Sequence, residues 1–276
     1  MRVVNHPLRR ATDHRPRPVP TAGPRRPAVS LVVPVRGTGR AAARDLARLL
    51  DQVPACVEEV VLAGDLPEPC AEPPRVAGDP VLRLVRHAAS GAGPGRVPHA
   101  GLLAATGEHI VLIDAHGMSP REIPHYVHYL DNGYDFVKGS RFIAGGGSAG
   151  YPLVRRAGHR VLLLVARRLY GQQLTDLWYG FCAFRRGFLG LLDLRADGHE
   201  LGAEIVAHAL HNGLRIAEVP SRELPRHHDG SPLRTARDGT RILRTLLEER
   251  PRNALPRLMP SPSKLLPVND RAEQGG

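Results

Sequence analysis

The sequence predicts an α/β protein built on a mostly parallel sheet with helices on both faces. Three observations carry that expectation. Short apolar, often β-branched runs alternate with segments of helical spacing from residue 28 to residue 250, the rhythm of strands joined by crossover helices. The chain has 276 residues, 42% of them hydrophobic and 24% charged, which suits one α/β domain with a sizeable core. One strand-like run also ends abruptly on an acid, Asp114, and open α/β sheets bind ligands beyond the carboxyl ends of their strands.

In chain order, the β-branched run at 29–33 ends at Pro34 and helical spacing follows at 40–50. Strands are expected at 57–62 and 81–85, a helix at 102–105 and a fourth strand at 109–113, ending at Asp114. Helical spacing resumes at 123–130, just after Pro120, and 136–139 is a short strand. The second half reads as a long helix at 153–170, a strand at 181–184, an amphipathic helix at 200–211, a strand at 215–219 and a last helix at 237–247. No repeat is visible, so 28–250 is read as one domain. Residues 1–27 are rich in Pro and Arg, and 251–276 hold five prolines among few apolar residues. Both are expected to be disordered tails.

The formal charge of +11 would invite a nucleic-acid reading. Its distribution argues against one: residues 1–27 carry +6 and 250–276 carry +3, leaving +2 for 28–249. All the basic residues but Lys138 and Lys264 are Arg, a bias of composition rather than of phosphate contacts. No aromatic-rich strand or recognition-helix motif accompanies the charge, so no specific nucleic-acid partner is expected. Cys56, Cys70 and Cys182 are odd in number and form no CxxC pair. That pattern points away from disulfides and structural zinc and toward a reducing cytoplasm. No secretory h-region precedes Arg26, and the longest apolar run, 161–166, is six residues between Arg160 and Arg167. A spanning helix needs roughly 20. The expectation is a cytoplasmic protein whose Arg-flanked helix leaves room for peripheral contact at the inner face of the membrane.

The segment with the most chemistry is Ile113-Asp114-Ala115-His116-Gly117. Residues at i and i+2 of an extended chain project to the same side. Asp114 and His116 at a strand's carboxyl end could jointly hold a divalent cation, and a carboxylate with an imidazole suits Mn²⁺ better than Mg²⁺. Downstream run Val137-Lys138-Gly139-Ser140-Arg141-Phe142, the Gly145-Gly146-Gly147 run, the Arg155-Arg156 pair, and Asp176-Leu177-Trp178-Tyr179-Gly180-Phe181. Then come Glu200 and Glu204, on one helical face at i and i+4, the segment from Gly213 to Pro220, and Arg226 five residues before Ser231.

In this order and spacing the segments resemble the family 2 glycosyltransferases of GT-A fold, in particular the dolichyl- and polyprenyl-phosphate mannosyl- and glucosyltransferases. The resemblance covers about 28–250 and is strong from His109 onward. It implies a Rossmann-like GT-A sheet, a nucleotide-sugar donor, a lipid-phosphate or small-molecule acceptor, and an inverting, metal-dependent transfer. The family's Asp-x-Asp metal motif falls on Asp114 and His116, with Mn²⁺ or Mg²⁺ as the ion. The second acid is replaced here by His116, and the position two further on, which can be a polar ligand in the phosphomannosyl branch, is Met118. A late His, His228 or its neighbour His227, would complete the site.

By the same resemblance Arg141 and Arg226 would bring donors to the diphosphate, with Ser231 near the latter. Pro34, at the end of the first strand, and Asp65, offset by one or two positions from the family's base-contacting acid, would lie on the nucleotide side. Asp176, Trp178, Gly180, Glu200 and Glu204 would face the acceptor. Asp176 would act as general base on a hydroxyl; toward an acceptor that is already an anionic phosphate it would only position groups. Two alternatives stay open. Arg36-Gly37-Thr38-Gly39-Arg40 resembles the phosphate loop of sugar-1-phosphate nucleotidyltransferases, and the altered motifs also suit a non-catalytic nucleotide-sugar-binding relative.

Overall fold

The computed structural model describes residues 28–35, 39–64, 80–85, 95–114, 117–148, 153–177, 179–196, 198, 200–224 and 235–250, with side chains from 156 and from 239 in its two longest helices. The tails expected at 1–27 and 251–276 lie outside the described residues. The chain runs β1 (Val29–Val35), α1 (Arg40–Leu50), β2 (Glu59–Gly64), β3 (Val81–Val85), α2 (Arg96–Ala104), β4 (His109–Leu112), α3 (Ile123–Asp131) and β5 (Phe136–Ser140). It continues through β6 (Gly147–Ser148), α4 (Leu153–Tyr170), β7 (Cys182–Arg185), α5 (Leu201–His211), β8 (Ile216–Pro220), β9 (Arg222–Glu223) and α6 (Thr235–Glu248).

Seven strands form one sheet in the order β3-β2-β1-β4-β7-β5-β8. All pairs are parallel except those of β7, which runs antiparallel to both β4 and β5. Its place is held by a cross-strand aromatic pair, Phe136 opposite Phe184, with ring centroids 6.1 Å apart. β6 and β9 form a separate two-stranded parallel ribbon that the sequence reading did not anticipate.

The sheet is apolar on both faces, as a sheet covered by helices must be. Along β1, Leu31 and Val33 pack with Leu49 and Leu50 of α1 and Tyr126 and Leu130 of α3. Val32, pointing the other way, joins Leu102 of α2, Leu163 of α4, Ile205 of α5 and Leu246 of α6. Helix α1 shows how the pattern works: Leu46, Leu49 and Leu50 are buried while Arg44 and Arg48 stay in water.

β1 passes through Pro34 instead of stopping there. Val29 O accepts from Glu58 on the β2 side and Val32 O accepts from Ile113 on the β4 side. With two-residue alternation, the N–H that Pro34 lacks would face β4, beyond the last β1–β4 pair at Val32 and Leu112. No ladder bond is lost, so the strand tolerates the proline. At the same end, Gly64 has φ 122°, and a Cβ there would stand 2.3 Å from Val35 O. Only glycine lets β2 and β1 close up at this edge.

Candidate active site

The strand order reverses between β1 and β4: β2 and β3 lie on one side, the rest of the sheet on the other. A crevice beyond the carboxyl ends of these two strands is where such sheets take ligands. Asp114 stands there, half-buried, two residues past the end of β4. Its N–H donates to the Sδ of Met118 at 3.2 Å, so the side chain that replaces a polar residue is buried and holds the turn. Gly180, expected on the acceptor side, lies against the same methionine: a Cβ on it would sit 3.4 Å from Met118 Cε.

The turn is also tied to the segment after β8. Gly117 O accepts from the N–H of Leu224 at 2.9 Å. Glu122, just before α3, accepts from Ser221 Oγ and, at 3.1 Å, from the N–H of Arg222. Arg226 and His228 follow Leu224 by two and four residues in the sequence. Both residues lie outside the described ones, as do Asp65, His116, Trp178, His227 and Ser231. Among the described residues no three His, Cys, Asp or Glu side chains gather to hold a metal ion.

A second cluster lies at the carboxyl ends of β5 and β8. Arg141, directly after β5, is buried. Its Nε donates to Asp176 Oδ2 at 2.7 Å, its Nη2 to Asp176 Oδ1 at 3.1 Å, and its Nη1 to Glu223 Oε2 at 2.9 Å. The guanidinium lies 4.9 Å from the ring centroid of Tyr179 and 5.3 Å from that of Phe142. The arginine expected to stand open to a diphosphate is thus engaged by two protein carboxylates.

Asp176 has no solvent-exposed surface. Burial works against its charge, but Lys138 and Arg141 outweigh that and hold the carboxyl below its ordinary range. Lys138 is itself buried, with Nζ donating to Tyr179 O at 3.0 Å, and burial lowers its pKa. Below them Glu218 of β8 accepts from the N–H of Thr175 (2.8 Å), the N–H of Asp176 (3.0 Å) and Thr175 Oγ1 (2.8 Å). These contacts set the path of 174–181 across the sheet. Gly139 leaves room for it, since a Cβ there would meet Tyr126 Oη at 2.3 Å and the Tyr179 ring at 3.0 Å. Asp176, expected as a general base toward a hydroxyl or as a positioning group toward an anionic phosphate, stands here as a buried counter-ion to Arg141 and Lys138. It is shielded because its partners come from three elements distant in sequence.

Glu200 and Glu204 do not join this cluster. They line a groove between α5 and α6, shared with Arg195 and Arg241. Glu204 accepts from the N–H groups of Arg195 and Ala196, each at 2.9 Å, and Glu200 lies 4.0 Å from Arg241 Nη1. The pair expected on the acceptor side therefore ties a loop and a helix. Pro34 is buried within β1. Glu122 and Glu223 escaped notice in the sequence, and Glu218, within the Gly213–Pro220 segment, was given no role, although an acid inside the apolar run Ile216-Ala217-Glu218-Val219 is a legible signal of buried polar pairing.

His159 of α4, also buried, lies 3.8 Å from Asp176 Oδ1 through Nε2. Burial pushes its imidazole down to about 4, and the nearby Asp176 only partly opposes this. An unfolded histidine takes its proton near pH 6.5, so between there and about 4 the unfolded state binds more protons. Stability is expected to fall as pH drops through that window, by about 3 kcal/mol at its lower end. Urea titrations from pH 7 to pH 4 on wild type and His159→Gln check this; equal slopes in both would remove the histidine as the cause.

A sequence model of glycosyl transferase family 2 matches residues 30–191. The chain is 31% identical over 149 residues to a polyprenol monophosphomannose synthase of Mycolicibacterium smegmatis, a match covering 51% of this chain and 56% of that protein. It is 30% identical over 129 residues to a dolichyl-phosphate hexose transferase of Haloferax volcanii, covering 46% and 55%. The chain thus spans little more than half the length of these curated relatives. Among solved structures, glucosyl-3-phosphoglycerate synthase from Mycobacterium tuberculosis, in complex with Mn²⁺, uridine-diphosphate-glucose and phosphoglyceric acid, has the same fold. The TM-score is 0.59 at 21% identity, covering 80% of this chain and 79% of that one.

Proposed function

The chain belongs to glycosyl transferase family 2, and from that premise we propose that it moves a sugar from a nucleotide-sugar to a polyprenyl phosphate or a small phosphorylated acceptor, inverting the anomeric centre. The observation that carries this reading is the position of Asp114 at the β1/β4 switch point, with the Arg141–Asp176 cluster after β5, which β7 separates from β4 in the same sheet. The crevice takes the donor, as the topology of open α/β sheets favours. Asp114, with His116 and His228 as proposed co-ligands, would hold a divalent metal, Mn²⁺ or Mg²⁺. When bound, such an ion supplies positive charge to the departing nucleoside diphosphate. Arg226 and Ser231 would meet the same diphosphate.

The state of Asp176 supports an anionic acceptor over a neutral hydroxyl. A general base must reach the proton it takes, and this carboxylate is buried and bound on both oxygens by Arg141. A phosphate acceptor arrives already deprotonated and needs no base. The names of the relatives agree with that class, one a polyprenol monophosphomannose synthase and the other a dolichyl-phosphate hexose transferase.

A cytoplasmic enzyme at the inner face of the membrane fits the outer side of α4. Val161 and Leu164 are 61% and 68% exposed there, flanked by the exposed Arg160 and Arg168. Among the described residues no helix is long and apolar enough to cross a membrane, so this face would lie on the surface, held by anionic headgroups.

Thermal-shift screening of UDP-, GDP- and dTDP-sugars, with and without Mn²⁺, tests the proposal. At least one donor is expected to stabilise the protein in a Mn²⁺-dependent way and to be turned over with a prenyl phosphate. Consumption of a nucleoside triphosphate with a sugar phosphate would point to a nucleotidyltransferase. Binding without turnover would point to a non-catalytic relative.

A further inference from the structure

Arg141 is shared by two carboxylates that hold it differently. Asp176 makes the bidentate pair that fixes the plane of the guanidinium, and it also faces the buried Lys138. Glu223 adds a second carboxylate to the same cation, and two acids on one arginine repel each other. The acids also differ in setting. Asp176 is fully buried between β5 and the 174–181 segment, whereas the Glu223 side chain is 14% exposed and belongs to the two-residue strand β9.

The contact itself has the form of anion recognition. One oxygen, Glu223 Oε2, takes both Arg141 Nη1 at 2.9 Å and Ser148 Oγ at 2.6 Å. A cationic N–H and a hydroxyl converging on one oxygen is how a phosphate oxygen is bound. Should Glu223 withdraw, the fork would not move. Nε and Nη2 stay with Asp176, and the Tyr179 and Phe142 rings flank the guanidinium. Nη1 and Ser148 Oγ would be left pointing at the space the carboxylate vacates.

We infer that Glu223 is an internal stand-in for the acceptor: its carboxylate occupies a phosphate-monoester site made by Arg141 and Ser148, and an incoming acceptor must displace it. The inference rests on the anionic-acceptor reading above and adds to it a gate built into the chain. It makes acceptor binding an exchange of one anion for another, with little change in the charge around Arg141. It also explains why β6 and β9 pair at all, since Ser148 and Glu223 are partners in that ribbon.

The test measures binding without turnover, by calorimetry with inorganic phosphate and, separately, with farnesyl phosphate in detergent micelles. Glu223→Gln keeps the shape and removes the charge. It is expected to bind inorganic phosphate about tenfold more tightly than wild type, the worth of freeing one charge-assisted contact. Glu223→Asp keeps an acid but draws it back by a methylene, and an intermediate gain is expected. Any variant with a native circular dichroism spectrum decides the matter. Affinity equal to or below that of wild type for both probes would overturn the gate. A gain for both probes assigns the site to the phosphate alone, and a gain for farnesyl phosphate only assigns it to a lipid headgroup presented with its chain. Sugar transfer is assayed apart. Tighter phosphate binding without any transfer keeps the gate and removes the transferase reading, while transfer without tighter binding removes the gate alone.

Discussion

Asp176→Ala is expected to destabilise the protein by about 3–5 kcal/mol, the usual consequence of removing one partner from a buried ion pair. Arg141 would keep Glu223, but Lys138 and the bidentate side of the guanidinium would lose the carboxylate that balances them. The N–H of Tyr179, 3.3 Å from Asp176 Oδ1, would lose its acceptor as well. Urea unfolding reads the effect directly, and Asp176→Asn, which keeps the shape without the charge, should fall between the two. A variant as stable as wild type but inactive would mean that the carboxylate works on substrate after all, and the general-base role would return.

Asp114→Ala should do the reverse, leaving the fold and removing function. The side chain is half-buried at a strand end, and the local bond to Met118 uses the main chain, which alanine keeps. Stability should change far less than in Asp176→Ala, since no fully buried ion pair is broken. Mn²⁺-dependent binding of a nucleoside diphosphate should weaken by about a hundredfold, as when a metal site loses a supporting group. Calorimetry with and without Mn²⁺ decides it, and unchanged metal-dependent affinity would take Asp114 out of the site. His116→Asp, which restores two acids at i and i+2, is expected to retain metal-dependent activity.

Much of the fold could be read from the sequence because its strands are short apolar runs with clear breaks. The runs at 29–33 and 109–113 became β1 and β4 within two residues at each end, and Asp114 fell at the switch point. Pro34 misled by two residues, since a proline stops a strand only where its missing N–H has a partner to lose. The site was less legible. Arg141 and Asp176 were picked out by motif, but nothing local in the sequence says that they face each other, because their pairing depends on β5, β7 and β8 lying side by side. Glu200 and Glu204 mislead for the opposite reason: the i, i+4 spacing is correct, but such a pair serves a helix–loop contact as readily as a substrate. Glu223 lies in a two-residue strand too short to leave a pattern.

The antiparallel strand β7 has a consequence for how the chain reaches this structure. β4 pairs with β1 and β7, and β5 pairs with β7 and β8, so β7 is the seam between the two halves of the sheet. During synthesis from the N-terminus, β4 has one open edge until residues 182–185 emerge and insert beside it. For more than seventy residues of elongation the growing chain exposes an apolar strand edge, the state most open to mispairing. The same insertion that brings Phe181 and Tyr179 over β5 also completes the sheet, so the Arg141–Asp176 cluster forms only when the scaffold closes.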